Sequence, residues 1–150
     1  MFRHARLDDL TGIANRWALE EFLSKLVYRG IEQCALVLFD VDSFKAVNDL
    51  HGHLAGDRLL VRIAEVLSGG IRSSDLAVRL GGDEFAVILA GTGSAAARYR
   101  AEALVRALSD EPMPQRNEIE PKVTPALGSP AGPTDAQAVS HVCRLRPVPS

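Results

Sequence analysis

The chain has 150 residues, enough for one domain with a single substantial core. Its 47% hydrophobic and 24% charged content is that of an ordinary folded protein. Seventeen Lys and Arg against nineteen Asp and Glu leave a net charge of −2, which gives no general footprint for nucleic acid or an anionic membrane.

The opening "MFRHARLDDL" carries charges with no apolar core behind them, so no secretory signal is expected. "TGIANRWALEEFLSKLVYRG" starts with turn chemistry and continues as a helix, with Trp17, Phe22, Leu23, Leu26 and Val27 on one face and Gly30 as its stop. "CALVLFDV" is a continuous apolar run and predicts a strand buried on both faces, ending in Asp40 and Asp42. Its apolar stretch is far short of the ~20 residues that span a bilayer, and the expected setting is the cytoplasm. "SFKAVNDLHG" predicts a short helix closed by Gly52. "LAGDRLLVRIAEVLSGG" predicts an amphipathic helix with Leu59, Leu60, Ile63, Ala64 and Leu67 as its apolar stripe.

"DLAVRL" and "EFAVILAG" predict two strands joined at "RLGGDEF", residues 79–85. "SAAARYRAEALVRALSD" predicts a helix, and "EIEPKVTPAL" one more strand interrupted by Pro121 and Pro125. From Gly128 the composition turns to Pro, Gly and Ser. Residues 128–150 are therefore expected as a divergent, loosely held or disordered tail with at most a weak helix over 134–143, behind a domain of residues 1–127. The order of elements predicts an α+β layered fold, with helices flanking a mainly antiparallel sheet.

The two cysteines, Cys34 and Cys143, match no metal or redox spacing, and Cys34 is expected as a small buried hydrophobe. His51 and His53 form H-x-H with no further ligands spaced to join them, which favours a turn role. The carboxylates are more telling. Asp40 closes a buried strand, and Asp83 and Glu84 sit side by side on the glycine turn. If the strand carrying Asp40 pairs beside that hairpin, the three converge at one edge, where they repel one another without a cation. Oxygen-only ligands favour magnesium or manganese, and magnesium held this way leaves positions for phosphate oxygens. Gly81 and Gly82, lacking side chains, would let a phosphorylated ligand approach the backbone. Gly-Gly-Asp is also ordinary hairpin chemistry, and Asp57 could simply cap the helix near it.

"RLGGDEF" resembles the signature of the GGDEF family of diguanylate cyclases. "DDLTGIANR" (8–16) resembles the family's opening segment, and "FDVDSFKAVNDLHGHLAGD" (39–57) its second block, in the right order and spacing. The resemblance implies a nucleotidyl-cyclase and polymerase-palm type of fold with the signature on a β-hairpin. It also implies the condensation of two GTP into cyclic di-GMP and pyrophosphate by an antiparallel pair of domains. Carried over by position, it makes Asp40 and Asp83 metal ligands with the carbonyl of Val41. Glu84 becomes a further ligand or a charge-setting neighbour. Asn48 and Asp57 would read guanine, with Phe44, Lys45, Gly81 and Gly82 facing the phosphates. Whether Asp83 or a bound water takes the 3′-hydroxyl proton stays open. Arg72 and Asp75, an R-x-x-D placed nine residues before the glycine pair counting from Arg72 to Gly81, match the family's product-inhibition site.

The C-terminus departs from the pattern. "SHVCRLRPVPS" lacks the family's final phosphate-binding Lys and Arg segment, and Ala126 stands where a serine is usual. Low activity of the isolated domain follows. The alternative is a catalytically impaired domain that binds cyclic di-GMP or GTP and regulates a partner. A cyclase using ATP is weaker, because Asn48 and Asp57 argue for guanine. An upstream sensor domain or regulatory partner is expected to supply the input.

Overall fold

The computed structural model describes residues 5–31, 33–41, 44–110, 117–122 and 137–147, and of the strands beyond residue 110 the backbone alone. The elements run α1 (Arg16–Tyr28), β1 (Gln33–Val41), α2 (Phe44–His51), α3 (His53–Gly69), β2 (Leu76–Gly81), β3 (Glu84–Ala90), α4 (Ser94–Asp110), β4 (Asn117–Lys122) and β5 (Gln137–Pro147). The sheet order is β2-β3-β1-β5-β4. β1 pairs antiparallel with β3, β2 with β3 and β4 with β5, while β1 and β5 run parallel. The expected α+β fold with a mainly antiparallel sheet flanked by helices is the one observed.

Strand alternation divides the core into two layers. Ala35, Val37, Phe39 and Val41 of β1, with Phe85, Val87 and Leu89 of β3, face α3 and α4. Phe39 and Phe85 are directly opposed across the two strands and both are almost fully buried. On the other face Cys34, Leu36, Leu38, Val78, Ala86 and Ile88 meet α1. Residues of β1 on this second face are half-buried from Leu36 onward, so the strand is sealed on one side and only partly covered on the other. Cys34 is buried as expected, and burial pushes its thiol pKa up.

Three local expectations change. In α1 the apolar stripe runs through Ala18, Leu19, Phe22, Leu23 and Leu26, whereas Trp17 and Val27 are 47% and 66% exposed. At 100° per residue both fall outside the stripe. In α3, Asp57 is the fifth residue, and Gly52 is the N-cap, with no side-chain cap hydrogen bond. The capping role for Asp57 is therefore excluded. Finally, where a weak helix is expected over 134–143, residues 137–143 belong to β5, which lies between β1 and β4, and 134–136 lie outside the described residues. The reason is visible inside the Pro-rich segment: residues 137–146 contain neither Pro nor Gly and carry Val139, Val142 and Leu145. Pro121 falls within β4, which is an edge strand and so tolerates a missing N–H donor. Among the described residues no helix is long and apolar enough to cross a membrane.

Candidate functional site

The site is organised around the turn between β2 and β3. Gly81 has φ 150° and Gly82 φ 52°, backbone conformations that L side chains rarely adopt, and this accounts for the glycine pair locally. A Cβ at either glycine would meet nothing within 4 Å, so the space beside the turn is open. Arg79, one register shift before the turn, donates from Nε and Nη2 to the Gly82 carbonyl at 3.0 and 2.9 Å.

The same guanidinium reaches the start of the chain. Arg79 Nη1 lies 3.1 Å from both carboxylate oxygens of Asp8. Asp8 also accepts from Thr11 N–H and Thr11 Oγ1 at 2.9 and 2.7 Å. Partial burial alone would raise the Asp8 pKa, but the bonds from Thr11 and Arg79 outweigh it and hold it below the usual range. The segment around Gly12 is thereby fixed against β2, where Arg79 N–H also donates to the Ala14 carbonyl at 2.9 Å. Sequence reasoning gave Asp8 and Arg79 no role. They stand 71 residues apart, and only the quoted motifs that contain each of them hinted at importance.

Pairing of β1 with β3 brings the predicted acids to this corner. Asp40 is the cross-strand partner of Glu84, and the Val41 N–H donates to the Asp83 carbonyl at 3.1 Å. Asp40 is half-buried, and Glu84 is exposed. No hydrogen bond or ion pair among the described residues reaches the side-chain carboxylates of Asp83 or Glu84. Among the described residues no group of three His, Cys, Asp or Glu side chains is spaced to hold a metal ion. Asp83 lies in the turn while Glu84 opens β3, so the two adjacent carboxylates leave the backbone from different geometries. Asp42 lies outside the described residues. The residues singled out by the sequence at this corner, Asp40, Val41, Asp83 and Glu84, offer carboxylate and peptide oxygens, hard donors of the type divalent cations take.

Beyond β1, α2 carries the remaining candidates. Phe44 is half-buried against the core and Lys45 is exposed. Asn48, one turn after Phe44, lies against α3, and among the described residues its buried Oδ1 has no hydrogen-bond partner. Asp57 is exposed on α3 and lines a cavity of ≈ 360 Å³ with Leu10, Leu54, Arg58 and Val61. His51 and His53 are both exposed, one ending α2 and one opening α3 across Gly52.

At the far end of the β2–β3 pair, Arg72 and Asp75 form a second polar cluster. Asp75 is 6% exposed. It accepts from the Arg72 backbone N–H at 2.9 Å, from Arg72 Nε and Nη2 at 3.3 Å, from Ala90 N–H at 3.2 Å and from Arg100 Nη2 at 2.6 Å. Arg72 Nη2 also donates to the Ala90 carbonyl and to Thr92 Oγ1 at 3.1 and 3.2 Å. Burial would raise the Asp75 pKa, yet the hydrogen bonds from Arg100 and Arg72 overcome this and lower it. Arg100, on α4, was missed by sequence reasoning because it contacts Asp75 from 25 residues away.

The family described as "Diguanylate cyclase, GGDEF domain" matches residues 5–145. The bifunctional diguanylate cyclase/cyclic di-GMP phosphodiesterase MucR of Pseudomonas aeruginosa is 35% identical over 133 residues, 87% of this chain and 19% of that protein. The chain spans between 10% and 38% of the length of the first curated relatives it matches. Among solved structures, the diguanylate cyclase SiaD of P. aeruginosa, in complex with its activator SiaC, matches with TM-score 0.67 and 37% identity, over 71% of this chain and 42% of that one. The GGDEF domain of DgcB from Caulobacter crescentus, in complex with c-di-GMP, matches with TM-score 0.64 and 30% identity, over 74% of this chain and 67% of that one.

Proposed function

The chain belongs to the GGDEF family of diguanylate cyclase domains, and from that membership we propose that it condenses two GTP molecules into cyclic di-GMP with release of pyrophosphate. The observation that carries the reading is the register of β1 against β3, which sets Asp40 opposite Glu84 and Val41 against Asp83. Family members of this kind generally use divalent metal ions. In this chain Asp40, Asp83 and the Val41 carbonyl would hold one, with Glu84 beside them, and the oxygen-only donor set favours magnesium or manganese. Such an ion supplies charge neutralisation for phosphate oxygens.

The chain's own residues then bind and orient. Asn48 and Asp57 take the guanine, since a carboxylate accepts from N1–H and N2–H, which adenine does not present. The Phe44 backbone N–H and Lys45 meet the phosphates. Gly81 and Gly82, with open space beside them, admit the triphosphate to the turn. Arg79 keeps that turn fixed through the Gly82 carbonyl. The 3′-hydroxyl of one nucleotide attacks the α-phosphorus of the other as pyrophosphate leaves, and its proton passes to Asp83 or to water. In-line positioning supplies much of the rate in such steps. Two chains arranged antiparallel would each contribute one GTP. Arg72 and Asp75 would form a product site at which cyclic di-GMP inhibits. An upstream sensor or a regulatory partner would bring the chains together in a cytoplasmic setting.

The departed C-terminal segment supports a second reading, a binding module that holds cyclic di-GMP or GTP without turnover. One assay separates the two. The chain is incubated with GTP and magnesium at high protein concentration, and cyclic di-GMP and pyrophosphate are measured. Product formation that Asp83→Asn abolishes is the result expected for the cyclase. Tight cyclic di-GMP binding with no turnover at any concentration would instead establish the binding module.

A further inference from the structure

Gly56 sits in the first turns of α3, is buried, and has no unusual backbone angle to explain a glycine. In a helix interior alanine is the preferred small residue, because glycine gives up more backbone freedom. The explanation lies across the α2–α3 contact. A Cβ at position 56 would collide with Asn48 Oδ1, and would stand 2.9 Å from Asn48 Cγ and 3.1 Å from Phe44 Cζ. The Asn48 amide therefore occupies the volume that any side chain at position 56 would fill. Its Oδ1 is buried there without a hydrogen-bond partner among the described residues, which costs stability in the folded chain. A niche that weakens the helix and strands a polar atom serves something other than folding.

We propose that Gly56 is a positioning residue for guanine recognition: the missing side chain creates the niche that seats the Asn48 amide next to Asp57. This rests on the reading of Asn48 and Asp57 as the guanine-binding pair. The atom displaced by a larger residue is the end of a flexible side chain. Gly56→Ala should therefore swing the amide out of place while leaving the fold intact. Stability and recognition then move in opposite directions, which a purely structural glycine would not produce.

The test uses the α,β-methylene analogue of GTP with magnesium, so that pyrophosphate cannot leave, and calorimetric titration of the full chain. Gly56→Ala is expected to weaken binding roughly five- to tenfold, as Asn48→Ala does, with its melting temperature unchanged or raised. The preference for the guanine over the corresponding adenine analogue should fall in parallel. In the Asn48→Ala background, Gly56→Ala should have no further effect on affinity. Should Gly56→Ala alone fold poorly, the double variant, which removes the collision, should restore the melting temperature. Additive losses in the double variant, or full affinity in Gly56→Ala, would overturn the proposal. Unchanged affinity in Asn48→Ala would overturn the guanine reading itself and the proposal with it.

Discussion

The two ends of the β2–β3 pair are built on opposite principles. At one end Asp75 is buried and saturated by Arg72, Arg100 and the Ala90 N–H, so its charge is spent on holding β2, β3 and α4 together. At the other end the side-chain carboxylates of Asp83 and Glu84 take no hydrogen bond or ion pair from described residues, although Arg79 fixes the backbone between them and β2. At one end the carboxylate is satisfied by the fold. The other offers carboxylates that the fold does not use, and groups of that kind are available to a ligand. Substitution of the buried Asp75 should therefore cost stability, and substitution of Asp83 activity.

The largest effect is expected at the saturated end. Asp75→Ala leaves the Arg100 guanidinium without its buried partner and should lower stability by about 3–5 kcal/mol in urea denaturation. A loss below ~1 kcal/mol would mean that the cluster is not the tie it looks to be. At the turn, Asp83→Asn should reduce cyclic di-GMP formation by roughly 10²–10³-fold, while moving stability by no more than ~0.5 kcal/mol. Equal losses in both measurements would erase the contrast between the ends.

Acid sharpens the same contrast. Asp8 and Asp75 are held below the usual carboxylate range, so the unfolded chain binds their protons first as pH falls. Their contribution is complete above about pH 5 and is lost as pH drops past the ordinary carboxylate range and through their lower folded values. Stability measured from pH 7 down to pH 3 should fall, and less steeply in Asp75→Asn. An identical slope in that variant would assign the acid sensitivity elsewhere. The smallest effect is expected for Arg72→Ala, because this side chain is 56% exposed. Stability should change by ~1 kcal/mol or less, yet cyclic di-GMP binding and inhibition should be lost. Undiminished inhibition would remove Arg72 from the product site.

Much of this was legible in the sequence where local chemistry decides. The α3 stripe from Leu59 to Leu67 is buried as its spacing predicts, and the glycine pair does sit at a hairpin. Asp40 at the end of an apolar strand could be placed near the signature turn once that strand was paired beside it. Contacts set by tertiary packing were not readable. Arg79 finds Asp8 across 71 positions, Arg100 finds Asp75 from a neighbouring helix, and the niche at Gly56 exists only because α2 folds onto α3. β5 was obscured by flanking prolines, which dominated the composition of a segment whose centre has none.

The most direct measurement is manganese binding to the full chain, followed by electron paramagnetic resonance with the α,β-methylene analogue of GTP present. One tightly held ion per chain is expected, with affinity reduced tenfold or more by Asp40→Asn and by Asp83→Asn and unaltered by Glu65→Gln. Manganese held equally well by all three variants would contradict a shared cation at the corner where β1 meets the glycine turn.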